Sequence, residues 1–354
     1  MSGETFVLPM DNLVPLLVEN PTYIKKAKLI AGRSNQEFAA QVARQLNLPL
    51  TNVKFTDFAN TEINVEIKDQ IRGSHVYILQ TGCAYEDRSV NDHLLELFAL
   101  INACELANVK SICVVMPCYP YARSDKKDKP HIPIMASFLA GILQKISLVK
   151  NNIFMDLHAG QIQGFFNGTP AHNLWAIDVH CDNLKNTIFK GMTSEEINDK
   201  FTVASADVGG AKRTESYAKK MGMSYVLMHK HRDYTVPNCV EGTILLGCVK
   251  NKIVIVVDDI IDTLGTMIAA VEELKKNGAI GVILVATHGI FSGQAIDRLN
   301  NCDMITDAFV TNTIPQKINQ SLSTKIKVVD VSPIFAMTIT AIETGEISIG
   351  SLFK

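Results

Sequence analysis

The stretch IVIVVDDIIDTLGT, residues 253–266, begins as an apolar run and ends in three acids, two threonines and a glycine. Val254 to Val257 have the pattern of a buried parallel strand, and open α/β sheets bind ligands beyond the carboxyl ends of such strands, where the next helix begins. That puts Asp258, Asp259 and Asp262 at a ligand-facing end. Thr263, Gly265 and Thr266 then supply hydroxyls, backbone N–H groups and close approach at a helix N-terminus, which favours an anion. Acids beside such a cradle would repel a bare phosphate. Sugar hydroxyls and hydrated Mg2+ both seek carboxylate oxygens, so a metal-bound phosphosugar reconciles the two features. The competing reading is a solvated acidic turn, but the DD-x-x-DT-x-GT spacing directly behind five apolar residues favours a functional loop.

Other strand ends carry further candidates. PYARSDKKDK sets Arg123, Lys126, Lys127 and Lys129 in a proline-punctuated loop after SICVVMP, suited either to polyphosphate or to a solvated charged face. FANTE puts Phe58, Asn60 and Glu62 on what reads as a hairpin tip between VKFTDF and INVEI. MDLHAG leaves His158, and SADVGG leaves Asp207, just behind apolar strands. Gly209 and Gly210, followed by Lys212 and Arg213, permit backbone approach to phosphate. In HKHRDY, Lys230 and Arg232 are two apart on extended chain and point the same way, opposite His231. Transfer of a phosphoryl-type group needs positioned charge more than a protein nucleophile, and this pair supplies it.

The elements that must hold these residues alternate short apolar runs with amphipathic stretches from Lys28 onward, the rhythm of α/β domains with parallel sheets. AKLIAG, HVYILQTG, SICVVMP and NIFMDLH read as strands of a first series, with helices over 35–45, 91–107 and 134–145. KFTVAS, SYVLMHK, TILLGCV, KIVIVVDD, GVILVATHG, DAFVTN and IKVVDVS read as strands of a second, with helices over 209–220 and 266–277. The turn-rich NGTPAHN marks a boundary between Phe166 and Asp178. With 354 residues, 47% of them hydrophobic, two buried cores are expected. Lys plus Arg number 34 against 36 for Asp plus Glu, so no global charge attracts nucleic acid or an anionic membrane. The cysteines are scattered without a CxxC pair and read as reduced core thiols of a cytoplasmic protein. The amino-terminal segment before Lys28 lacks the pattern of a signal peptide and is either a disordered leader or a strip packed on the surface.

VVDDIIDTLGT resembles the ribose-phosphate loop of the type I phosphoribosyltransferase fold. FANTEINVEI, PYARSDKKDK, MDLHAGQIQGFF, SADVGGAKR, HKHRDY and THGIFSG resemble, in order and spacing, the motifs of the ribose-phosphate pyrophosphokinase (phosphoribosyl pyrophosphate synthetase) family. The resemblance runs from about Lys28 to Phe353 and implies two tandem type I phosphoribosyltransferase-like domains, each a mainly parallel sheet flanked by helices. These would be an extension over 1–27, an ATP-side domain over 28–172 that makes oligomer contacts, and a ribose 5-phosphate domain over 173–354. It implies transfer of the β,γ-pyrophosphoryl group of MgATP to the 1-hydroxyl of ribose 5-phosphate. Phe58, Asn60, Glu62, Arg123, Ser124, Lys127, Asp128 and His158 would bind ATP, and Phe58 would reach a neighbouring subunit's site. His158 and Asp207 would hold Mg2+, and Lys230 and Arg232 would be catalytic. Asp258, Asp259, Asp262, Thr263, Gly265 and Thr266 would bind ribose 5-phosphate. A homo-oligomer, a hexamer of dimers, is implied, with related subunits as further partners. The alternatives are a non-catalytic regulatory subunit of such an enzyme and a phosphoribosyltransferase that uses the same loop. The chain departs from the family pattern at Ser124, where a glutamine is common, and in the longer CAYEDRSVND segment.

Overall fold

The computed structural model describes residues 26–206, 208–230, 243–345 and 348–350. Among these, residues up to 176, residues 312–315 and those from 331 onward form one compact unit; 177–311 and 316–330 form the other.

The first unit contains β1 (Ala27–Ala31), β2 (Val53–Asp57), β3 (Ile63–Ile67), β4 (His75–Leu79), β5 (Ser111–Val115), β6 (Val149–Met155) and β7 (Ala171–Leu174). Its sheet has the order β1-β4-β5-β6-β7, parallel throughout. Ile30, Ile78, Val114 and Phe154 are fully buried in it, as expected of parallel strands covered on both faces. Helices α1 (Gln36–Gln45), α2 (Val90–Leu106) and α3 (Met135–Lys145) connect the strands. Asn35 caps α1 through Phe38 N–H, and Ser89 with Asp92 forms a capping box that starts α2. β2 and β3 pair antiparallel as a separate hairpin, whose Val53, Phe55, Val65 and Ile67 pack on the core while alternate residues face out.

The second unit contains β8 (Phe201–Ser205), β9 (Tyr225–Lys230), β10 (Thr243–Leu246), β11 (Ile253–Ile261), β12 (Gly281–Gly289), β13 (Ile305–Thr311) and β14 (Ile326–Val329). Its sheet order is β10-β9-β8-β11-β12-β13-β14, with β10 antiparallel and every other pairing parallel. Helices α4 (Ile177–Asn186), α5 (Ser194–Lys200), α6 (Ala211–Met221), α7 (Gly265–Lys276), α8 (Ala295–Asn301) and α9 (Lys317–Leu322) accompany it. Two units, each with a mainly parallel sheet flanked by helices, are the architecture expected from the sequence.

Two elements differ from that reading. NGTPAHN was expected to be only a turn, yet its end enters β7, which hydrogen-bonds to β6; a division at 172/173 falls inside this strand. The last helix, α10 (Ser332–Thr344), packs with α1 in the first unit, where Phe335 meets Phe38 edge-to-face at 5.2 Å. Cys83, Cys104, Cys113, Cys118 and Cys181 are buried free thiols, as expected, whereas Cys248 is exposed. Among the described residues no helix is long and apolar enough to cross a membrane.

Candidate functional site

In the second sheet the chain leaves β8 toward β9 on one side and leaves β11 toward β12 on the other. The connections after these two neighbouring strands diverge, and the crevice beyond their carboxyl ends is where such sheets bind ligands. Ser205, the last residue of β8, lies in register with Val257, immediately before the acid pair. At Gly210, just before α6, a Cβ would stand 2.8 Å from that of Ser205, so only glycine lets the helix start this close to the strand.

Alternation along β11 turns Asp259 into the interior, where it is 3% exposed, and leaves Asp258 partly open. Asp259 N–H donates to Asp258 Oδ1 at 2.8 Å. Arg213, on α6, brings Nη1 to 3.1 Å from Asp259 Oδ1 and 3.4 Å from Asp258 Oδ1. Burial, and then the neighbouring Asp259 charge, push the Asp258 carboxyl well above the ordinary carboxylate range; the Arg213 guanidinium opposes that rise. A hydroxyl donor or a cation arriving at Asp258 would relieve the repulsion. Behind the acids, Leu264 takes a left-handed conformation (φ 61°) with its side chain buried, so the chain reverses into α7. Thr263, Gly265 and Thr266 stay exposed at the opening of that helix. Its first-turn N–H groups have no preceding helical carbonyl and can accept an anion. Arg298 of α8 donates from Nη1 to Thr263 O at 2.6 Å and braces the turn.

In the first unit the FANTE segment is the tip of the β2–β3 hairpin. Phe58 N–H donates to Glu62 O at 2.9 Å and Thr61 N–H to Phe58 O at 2.9 Å, closing the turn. Asn60 Oδ1 accepts from Glu62 N–H at 3.3 Å, and Phe58, Asn60 and Glu62 all project into solvent. The Arg123 loop follows β5. Arg123, Lys126, Lys127, Asp128 and Lys129 are exposed, while Ser124 Oγ accepts from Met135 N–H at 3.2 Å and donates to Pro133 O at 3.4 Å. Ser124 therefore closes the neck of the loop at the start of α3. His158 is exposed beyond β6, after Asp156 at φ 41°, whose carboxylate accepts from Ala176 N–H.

Two residues missed in the sequence connect these segments. Gln161 Nε2 donates to the buried Asp125 Oδ2 at 3.1 Å and ties the His158 segment to the Arg123 loop. They gave no sequence signal, because an amide and a carboxylate 36 residues apart carry no spacing rule. Arg213 appeared only as a phosphate-side cation; its role on the acid pair needed the strand order. Asp207 and Arg232 lie outside the described residues, and Lys230 is described as the last residue of β9, its backbone paired with Thr243.

A Mg2+ ion fits the donor chemistry present. Among the described residues no three His, Cys, Asp or Glu side chains converge on a metal position. Magnesium keeps most of its waters and takes one or two carboxylates together with substrate phosphates, and Asp258 beside Asp259 offers that number.

Two family models match the chain: the N-terminal domain of ribose phosphate pyrophosphokinase over residues 27–146, and the phosphoribosyl synthetase-associated domain over 241–354. Ribose-phosphate pyrophosphokinase 2 of Schizosaccharomyces pombe is 41% identical over 331 residues, covering 92% of this chain and 97% of its own. Among solved structures, phosphoribosylpyrophosphate synthetase from Mycobacterium smegmatis is similar with a TM-score of 0.79 at 33% identity, covering 90% of this chain and 98% of that one.

Proposed function

The chain belongs to the ribose-phosphate pyrophosphokinase family, and from that premise we propose which of its residues carry each part of the reaction. It is a diphosphotransferase that makes phosphoribosyl pyrophosphate and AMP from ATP and ribose 5-phosphate. O1 of the sugar bonds to the β-phosphorus, the bond from that phosphorus to the α–β bridging oxygen breaks, and the hydroxyl proton is lost.

Asp258 and Asp259 accept hydrogen bonds from the ribose hydroxyls, with Asp262 at the turn, while Thr263, Gly265 and Thr266 hold the 5-phosphate at the start of α7. The observation that carries this assignment is the acid pair under Arg213, Asp259 buried and Asp258 partly open, directly before an exposed helix opening at the switch point of the sheet. Phe58, Asn60 and Glu62 recognise adenine; Arg123, Lys127, Asp128 and His158 line the polyphosphate. Ser124 joins them, its hydroxyl also accepting from Met135 N–H at the start of α3. Lys230 and Arg232 balance the charge that moves between the β-phosphoryl group and the departing AMP. His158 and Asp207 would hold Mg2+, which would supply neutralisation of phosphate charge. The ATP side falls to the first unit and the sugar side to the second. A homo-oligomer completes the nucleotide site by offering the exposed Phe58 tip to a neighbouring subunit, and the compartment is the cytoplasm.

The test is turnover by the purified chain with ATP, ribose 5-phosphate and Mg2+. AMP and phosphoribosyl pyrophosphate should appear in equal amounts, and Asp259→Asn should abolish them. Absence of AMP from the chain alone, with activity only after a related synthetase is added, would identify a regulatory subunit instead.

A further inference from the structure

The CAYEDRSVND segment, which departs from the family pattern, has no place in the scheme above. It is nonetheless held by several hydrogen bonds of its own. Tyr85 and Arg88 exchange both backbone hydrogen bonds at 3.1 Å across a two-residue turn, with Glu86 at φ 52°. Ser89 then caps α2, and His93 Nδ1 lies 2.7 Å from the Cys83 carbonyl oxygen. Arg88 is thus fixed between a closed turn and a capped helix. Its Nη2 reaches Asp57 Oδ1 at 2.6 Å.

Asp57 is the last residue of β2, immediately before Phe58. A second arginine holds the same carboxylate: Arg33 Nη1 and Nη2 lie 2.8 and 3.2 Å from Asp57 Oδ2 and Oδ1. Arg33 is itself anchored, since its backbone N–H and its Nε donate to the two oxygens of Glu96 at 2.8 and 2.5 Å, and its guanidinium lies 4.7 Å from the Phe55 ring centroid. Glu96, fully buried, takes a further bond from Gln80, which also accepts from Ser34. A Cβ at Gly32 would fall 2.0 Å from Gln80 Oε1, so this chain of contacts leaves no slack at its root. The other end of the segment touches the Arg123 loop, where the Tyr121 hydroxyl bonds Asn91 Oδ1.

We propose that Arg33 and Arg88 are positioning residues for nucleotide recognition: by clamping Asp57 between a buried anchor and the 85–88 turn, they fix the direction of the Phe58–Glu62 tip. The inference rests on the assignment of that tip to adenine. An unclamped two-stranded hairpin five residues wide at its loop would sample many orientations, and each lost orientation would have to be recovered on binding.

Steady-state kinetics of Arg88→Ala, Arg88→Lys and Asp57→Asn, with Phe58→Ala as reference, tests it. Arg88→Ala and Asp57→Asn should raise KM for ATP about five- to tenfold while KM for ribose 5-phosphate and kcat stay within about twofold. Arg88→Lys should recover part of the loss, and the Arg88→Ala, Asp57→Asn double variant should be little worse than Asp57→Asn alone, because Asp57→Asn already removes the Arg88 ion pair. A loss of stability alone would lower the active fraction, and so kcat, without moving one KM selectively. KM for ATP unchanged in both single variants, with Phe58→Ala raising it, overturns the clamp alone. No effect from Phe58→Ala overturns the adenine assignment and the clamp with it.

Discussion

Asp259 is tightly constrained within the proposed sugar site: it is a carboxylate almost out of solvent that shares Arg213 with Asp258. Arg213→Ala removes that guanidinium from a buried acid, and the fold should lose about 1–3 kcal/mol, read as a lower urea midpoint at unchanged slope. Asp258 also makes stability depend on pH, with a sign opposite to that of an ordinary paired carboxylate. Its folded pKa is raised, so its contribution is complete below the pKa of an unfolded aspartate, near 4, and is lost as pH rises toward the folded value. With 28% of the side chain still exposed, solvent limits the effect to about 1 kcal/mol. Asp258→Asn should therefore gain stability relative to the parent between pH 5 and 8, measured by denaturant titration at both values.

At the scale of elements, the site depends on how strand ends hand over to helices. The β11 strand, the left-handed Leu264 and the start of α7 are local, and the run of apolar residues with the DT-x-GT turn made them legible. The brace on that turn is not local: Arg298 comes from α8, 35 residues on, and bonds the carbonyl of Thr263. Arg298→Ala should raise KM for ribose 5-phosphate about threefold to tenfold with little change in KM for ATP, a loss of one charge-assisted hydrogen bond of about 1 kcal/mol. The strand β7 escaped notice for a physical reason. Its four residues, AHNL, follow a proline and only half are apolar, and they become a strand because the edge of β6 pairs with them.

For the whole molecule, the chain crosses from the first unit to the second and returns. Nine residues of α10 are buried, and Glu343 near its end accepts from the Tyr77 hydroxyl of β4 at 2.7 Å. Burying Ile334, Phe335 and Ile339 contributes roughly 2 kcal/mol each, a sum comparable with the net stability of an ordinary domain. Ending the chain at Asp330 should thus abolish cooperative unfolding of the first unit while the second unit's helices persist, seen as the loss of one of two calorimetric transitions. The second unit was readable as an α/β series from its apolar strands, but the allocation of α10 was not, since a mostly buried helix carries no stripe that names its neighbour.

The sequence alone determined the class of both units and the family, and marked residues 258–266 as the candidate phosphosugar loop, because contiguous patterns record strand period, turn chemistry and phosphate cradles. It also put Phe58 on a hairpin tip and Arg123 on a loop. Only the tertiary structure decided which groups act on them: Arg213 on the acid pair, Arg298 on Thr263, Gln161 on Asp125, and Arg33 with Arg88 on Asp57. These partners are separated by 24 to 46 residues where the list runs through Asp57, Thr263, Asp125 and Asp259. Strand order, not local pattern, brings them within hydrogen-bonding distance, and strand order is settled by which buried faces fit together.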